Sequence, residues 1–412
     1  MAWAASWWWP VGWSLAAVWA AVFPLVSDVG THRVWGICAA VGYTGAAVAA
    51  RVLPRPRAVR VPVAIALAGA VVLPLLLLVL TGQAQSEVDV IERSGRLLSE
   101  RGTPYLDAPR QVEEYTPYLP GMALLGMPRA LFGEHGWAAR YFGDARVWCA
   151  VVFLACLVAS RVVVRRGRGG AQVRRGDERF GAAMAVLIAS PVVALPLCVS
   201  GVDLPLAGLC VLAIACAVRG RAVAAGLVLA AACSLKWTAW PAIPVVVALL
   251  GCAWGARPAL RSAATAVVGT VPLVLPSALL SPGPMVQQVL AFPTGQGELE
   301  TPAASPLPGR LLAEQGVMGW AAAVALLVCG AIAVGVSLVV KPPSDAVAAA
   351  DRLAIGLAIA FLLAPAGRFG YLALPVLLVV WARWVGASEP VPELESGAAT
   401  RTAAVSIAGG RR

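Results

Sequence analysis

Charge is scarce in this chain. Only 13% of its 412 residues are Asp, Glu, Lys or Arg, about half of the roughly 25% usual in soluble domains. With 60% hydrophobic residues and a mean hydropathy of +0.80, this excludes a soluble enzyme. The short apolar/polar alternation of a membrane β-barrel is also missing, and the apolar residues come in unbroken runs such as Val61 to Leu80. The nine cysteines form no C-x-x-C or Cys/His spacing, so neither a disulfide framework nor a zinc site is expected. Histidine numbers two, and His32 and His135 lie far apart with no third ligand in view, so no metal site is expected. The start carries Trp3, Trp7, Trp8 and Trp9 without a basic segment before the apolar run. It suits an interfacial anchor better than a cleaved signal peptide. No internal repeat marks a repeat-built transporter.

What is present is a series of apolar blocks, approximately 11–27, 34–52, 61–81, 146–164, 181–200, 204–218, 222–236, 238–254, 262–281, 318–340, 353–366 and 370–386. A crossing needs roughly 20 apolar residues, so the expectation is an all-α polytopic membrane protein with about 12 transmembrane helices. Placing the N-terminus in the cytoplasm puts 21 of the 32 basic residues on the inner side and 14 of the 21 acidic residues outside. The net charge of +11 is thus a positive-inside signal, and nucleic acid is not expected as a partner. The segment 118–132 is apolar but short, contains Pro120, Pro128 and Arg129, and would invert every later arginine if it crossed. It is expected to be interfacial or re-entrant. Two long connections then fall outside, 82–145 and 282–317. The tail 387–412, rich in Ala, Gly, Glu and Pro, is expected to be disordered and cytoplasmic.

The first long connection opens with an amphipathic stretch from Ser86, with Val88, Ile91, Gly95 and Leu98 at helical spacing, ended by Gly102 and Pro104. Ser86 is the expected N-cap, with Asp89 at the capping-box position. Asp89 therefore has two readings. One is a capping residue paired with Arg93 at i+4; the other is a carboxylate that takes a proton from a hydroxyl. Glu87 is its rival, turned about 200° around the helix. Glu113 and Glu114 are adjacent and read as a solvated loop.

Lys236 is one of only two lysines and lies between two apolar blocks. At that depth it is either a functional cation or a lysine snorkelling to the outer interface. Arg368, in the turn Pro365-Ala-Gly-Arg-Phe-Gly-Tyr371, is either functional or paired with a loop carboxylate, and Arg310 sits in the second long connection. Asp203 is expected to cap the helix that follows it.

The run Asp89-x5-Gly95-x6-Gly102-x2-Tyr105, continued by Tyr115-x-Pro117-x2-Pro120, resembles the first extracytoplasmic loop of glycosyltransferase family 87. Those are the polyprenyl-phosphate-mannose-dependent mannosyltransferases of actinobacteria, with the GT-C fold. Later blocks extend the resemblance: Ser190-Pro191, Gly201-Val-Asp-Leu204, Ser234-Leu-Lys236-Trp-x3-Pro241 and Arg368-Phe-Gly-Tyr371. Glu92 stands where the family often has an aromatic residue.

The apolar blocks give two N-terminal helices (1–60), an addition to the pattern of the resemblance, which implies a GT-C-like core (61–386) in the cell membrane; the arginine distribution makes both termini cytoplasmic and the active site outside. The resemblance implies transfer of a hexose, most often mannose, from a polyprenyl-phosphate donor to a glycan or glycolipid acceptor by inverting single displacement, with no cofactor or metal. Asp89 would be the base, Lys236, Arg368 and Arg310 would bind the donor phosphate, and Tyr105, Tyr115, Glu87 and Arg93 would belong to the substrate loop. A secondary transporter or lipid flippase is the alternative. It would require charges in mid-span and paired broken helices.

Overall fold

A computed structural model describes residues 8–54, 57–133, 135–165 and 171–386. Trp3, Trp7 and the tail 387–412 lie outside them. Among the described residues the chain is helical throughout, with one isolated parallel bridge between Ala304 and Gly367 and no strand.

Among the described residues, eight helices are long and apolar enough to cross a membrane: Trp8–Val26, Gly30–Val52, Arg57–Leu80, Ala145–Arg165, Trp237–Trp254, Ala256–Leu280, Val317–Val340 and Ala346–Leu363. The protein is a multi-pass membrane protein. A ninth span is possible if Phe180–Ala189 and Pro191–Val199, which meet at 60°, count as one. The bend falls at Ser190, whose extended backbone (ψ 148°) is what a following proline imposes.

Three further apolar helices, Leu204–Val218, Ala222–Leu235 and Phe369–Val385, are shorter, so the expected twelve blocks do not all become full-length spans. The reason is visible in Leu204–Val218. Nearly every residue from Leu204 to Ala217 is buried by protein, so its all-round apolarity marks the centre of the bundle and not a lipid-facing surface. The opposite case is Val317–Val340, only 11% of whose apolar window is buried.

The first two helices share one buried core with the rest, from Trp13 to Val385. Trp35 Nε1 donates to the Ala70 carbonyl (2.9 Å) and the Tyr43 hydroxyl to that of Ala189 (2.6 Å).

The long connection after Leu80 is itself helical: Ser86–Arg101, a 3-10 turn at Val112–Glu114, Pro120–Phe132 and Trp137–Gly143. Gln85, not Ser86, is the N-cap, and no side chain caps it. The expected Ser86/Asp89 box is therefore absent. Gly102 closes the helix at φ +74°, the left-handed conformation that glycine adopts without steric cost. Pro120–Phe132 has 13 residues, about 20 Å of helix at 1.5 Å per residue, which is too short for a crossing.

Pro120–Phe132 packs directly on Ser86–Arg101. Gly95 and Gly126 permit the approach: a Cβ on Gly126 would lie 1.9 Å from the Ile91 carbonyl oxygen, and one on Gly95 would lie 2.3 Å from the Gly126 carbonyl carbon.

Candidate active site

Both long connections close over a cavity of about 400 Å³. Its walls come from the first turn of the loop helix (Ser86, Glu87, Val90), the segment Val112–Tyr118, the break at Lys236–Pro241, Phe292–Thr294, Thr301–Ala303 and the turn Ala364–Tyr371. Leu327, Leu357 and Phe361 carry the wall down between two apolar helices. The lining is mainly aromatic and aliphatic, with a few convergent charges, the usual make-up of a small-molecule site.

Lys236 is placed by the end of a helix. Ala222–Leu235 stops at Leu235, and Lys236 is extended (φ −156°, ψ 137°) before the 3-10 turn Trp237–Ala239. The Leu119 N–H donates to the Leu235 carbonyl (3.0 Å), which docks the first loop at this break. The Lys236 ammonium lies 4.6 Å from the Tyr371 ring centroid and 5.7 Å from that of Tyr118, and donates to Asp203 Oδ1 at 2.8 Å. Asp203 was expected to cap the next helix. Its side chain makes no cap hydrogen bond, because a buried ammonium is the partner that most needs it.

Arg368 lines the same cavity and forms an ion pair with Glu87. Its turn is held by the second connection: Gly367 N donates to the Ala303 carbonyl (2.8 Å) and Ser305 N to the Gly367 carbonyl (3.0 Å).

Tyr115 also lines the cavity, its ring stacked on Phe292 at 4.4 Å. The residue is 1% exposed, and its hydroxyl has no hydrogen-bond partner among the described residues. A buried, unpaired hydroxyl costs free energy unless something binds it. On a cavity wall the hydroxyl is placed to meet water or a bound ligand.

A model of glycosyltransferase family 87 matches residues 115–365. The chain belongs to glycosyltransferase family 87. It is accordingly a membrane glycosyltransferase, an enzyme with a sugar donor and an acceptor. No curated protein and no solved structure matches it. The family match includes Tyr115, Tyr118, Asp203 and Lys236, while Glu87, Asp89 and Arg368 lie beyond its ends. Among the described residues there is one sharply bent helix pair, where a transporter built on paired broken helices would show two.

For a glycosyltransferase, the cavity gathers four of the eight residues that the resemblance assigns to the base, phosphate site and substrate loop: Lys236, Arg368, Tyr115 and Glu87. The others stand elsewhere. Tyr105 is behind the wall, in a small buried cluster with Leu119 and Val289, and its hydroxyl donates to the Tyr118 carbonyl (3.0 Å). It supports the wall and does not face the cavity. Arg310 pairs with Glu314 at 2.9 Å, one turn along its own short helix, and is not on the lining. Arg93 donates to the Glu113 carbonyl and not to Asp89.

Asp89 is exposed and makes no hydrogen bond or ion pair with a described residue. It is not part of the cavity wall. Burial of the helix it stands on still pushes its carboxyl above the ordinary carboxylate range, with Arg146 pulling the other way. Of the two adjacent glutamates, Glu113 borders the cavity, while Glu114 accepts from the Arg110 and Gln111 amides and closes the 3-10 turn.

Sequence reading missed two networks that hold the loop helix. Glu92 accepts from Arg129 at 2.7 and 3.2 Å and from Ala145 N at 3.0 Å. Burial leaves its pKa raised even so. Arg146 is wholly buried, binds Asp144 at 2.6 Å and donates to the Gln83 and Cys198 carbonyls. The only sequence signal was a charged pair, Asp144 and Arg146, at the head of an apolar block. His32, set aside as a lone histidine, bonds Gln85 at 2.7 Å, immediately before the loop helix.

Proposed function

We propose that the cavity holds a polyprenyl-phosphate-linked hexose, mannose, and that the enzyme transfers this sugar to a glycan or glycolipid acceptor on the extracytoplasmic side of the cell membrane. The observation that carries the reading is the pair of cations, Lys236 and Arg368, on the lining of one aromatic cavity. The apolar wall below them is formed by Leu327, Leu357 and Phe361. A lipid phosphate needs both parts: positive charge for the headgroup and apolar surface for the chain. The Tyr115 hydroxyl supplies a further donor to sugar or phosphate. The excess of arginine on alternate connections supports cytoplasmic termini and an outward site, and the resemblance in the first loop supports the donor class and a GT-C-like core.

In the proposed reaction the acceptor hydroxyl attacks the anomeric carbon as the carbon–oxygen bond to phosphate breaks. The polyprenyl phosphate leaves with the bonding electron pair, and its growing negative charge is stabilised by Lys236 and Arg368. The hydroxyl proton passes to one carboxylate, and because the sugar is transferred in a single displacement the anomeric centre inverts. For that base we propose Asp89. It is free of ion pairing, its carboxyl is held above the ordinary range, and the resemblance in the first loop favours it. Because its side chain is not on the cavity wall, the assignment requires the first helical turn to rotate inward when substrates bind. Glu87 is on the wall but is neutralised by Arg368, which makes it the poorer base.

The test is transfer of radiolabelled mannose from polyprenyl-phosphate-mannose to a membrane glycolipid extract by purified protein in nanodiscs. Wild type is expected to form a labelled product, with Asp89→Asn and Lys236→Ala reduced by roughly 100-fold or more, the scale of losing a general base or a charge-stabilising donor. Full transfer by Asp89→Asn would remove the base assignment. Label accepted from a different sugar but not from mannose would correct the donor.

A further inference from the structure

The two cavity cations are paired in different ways. Asp203, the partner of Lys236, is not on the cavity lining, so that carboxylate holds the ammonium from behind. Glu87, the partner of Arg368, lines the cavity together with it, and the guanidinium is the more exposed of the two (31% against 16%). The charged residues on the lining are Lys236, Arg368, Glu87 and Glu113. The lining therefore carries no net charge, and Glu87 already occupies one guanidinium nitrogen of Arg368, Nη1.

We infer that Glu87 is an exchangeable counter-ion: it fills the phosphate position on Arg368 while the cavity is empty, and the phosphate of the lipid donor displaces it. This rests on the reading of Lys236 and Arg368 as a phosphate site.

Three features favour exchange over simple addition. First, a guanidinium binds phosphate and carboxylate alike, so the two anions compete for Arg368. Second, a phosphate added to an intact Arg368–Glu87 pair would bring a second anion beside a carboxylate in a water-poor site, where like charges repel strongly. Third, Glu87 stands in the first turn of the helix Ser86–Arg101, whose N-cap makes no side-chain hydrogen bond. The unsatisfied amides and the dipole at that end continue to favour a carboxylate once Arg368 has been taken.

Exchange has a measurable consequence, and its dependence on Arg368 separates it from addition. Glu87 opposes anion binding, so its neutral isostere binds the anion more tightly. Farnesyl phosphate is a suitable probe, with farnesol as its uncharged control, measured by calorimetry on the full chain in nanodiscs. Glu87→Gln is expected to bind farnesyl phosphate roughly five- to tenfold more tightly than wild type, with farnesol binding unchanged. The gain is expected to vanish on an Arg368→Gln background.

Equal or weaker binding of farnesyl phosphate by Glu87→Gln, with Arg368→Gln still weakened, would overturn the exchange and leave the phosphate site standing. Equal binding by wild type and Arg368→Gln would remove the phosphate site at Arg368, and the exchange with it. Should Glu87→Gln unfold, Glu87→Ser provides the same comparison, since it also lacks the charge.

Discussion

Gln288 and Thr116, 172 residues apart in sequence, are joined through one side-chain amide: Gln288 Oε1 accepts from Thr116 N at 3.0 Å while its Nε2 donates to the Leu106 carbonyl at 2.6 Å. The two long connections are thereby clamped together behind the cavity by a residue that is fully buried. Gln288→Leu leaves a buried amide and a buried carbonyl without partners, at about 1–3 kcal/mol for each group. The variant is expected to melt at lower temperature in detergent and to be cut more readily by protease within both connections. Unchanged melting and cleavage would mean that the clamp contributes nothing.

The Arg146–Asp144 pair predicts a sharper effect. Arg146→Met leaves Asp144 as an unpaired buried carboxylate, a change that typically costs about 3–5 kcal/mol, and also strips a donor from the Gln83 and Cys198 carbonyls. Little folded protein is expected from this variant by size-exclusion chromatography. The double variant Arg146→Met with Asp144→Asn removes the stranded charge and is expected to recover much of the yield. If the double variant were no better than the single one, the loss would come from packing or from the carbonyl contacts and not from Asp144.

At the crossing of the loop helix with Pro120–Phe132, a single methyl group is the test. The Cβ of Gly126→Ala meets backbone atoms of Ile91 and Glu92, which cannot rotate away as a side chain can. Overpacking of this kind costs about 1–3 kcal/mol or more. Gly126→Ala is expected to lower the melting temperature and to reduce transfer, because the same helix carries Glu87 and Asp89. Gly12→Ala, whose Cβ would meet nothing within 4 Å, is the matched control. Equal behaviour of the two variants would show that the crossing tolerates separation.

These sites differ in how far they were legible from sequence. Apolar runs announce helices, and the loop helix was visible from Val88, Ile91, Gly95 and Leu98. Runs of equal apolarity do not distinguish a helix in lipid from one enclosed by protein, which is why Leu204–Val218 and Val317–Val340 looked alike. Lys236 stood out because a lysine between apolar blocks needs a reason, but its partner Asp203 carried an equally good local explanation as a cap. Local spacing could not weigh that against a charge 33 residues away. Arg368 and Glu87 are separated by 281 residues, and only the closure of both connections brings them together.

The pH response separates the two carboxylates of the first turn. Burial raises the Asp89 carboxyl above its ordinary value, so the folded protein keeps a proton there at pH values where the unfolded chain has lost it. The resulting destabilisation is absent below the unfolded pKa and complete above the folded one. Asp89→Asn is therefore expected to gain stability over wild type as the pH rises through that acidic window. As the proposed base, Asp89 must be ionised to act, so transfer by wild type is expected to climb with pH through the raised pKa. Glu92 is raised in the same direction and is present in both proteins, so the difference between wild type and Asp89→Asn isolates Asp89. Melting curves and initial rates measured across the same pH series provide the check. An acid limb that persists in residual Asp89→Asn activity would assign the essential proton to another group, with Glu87 the first to substitute.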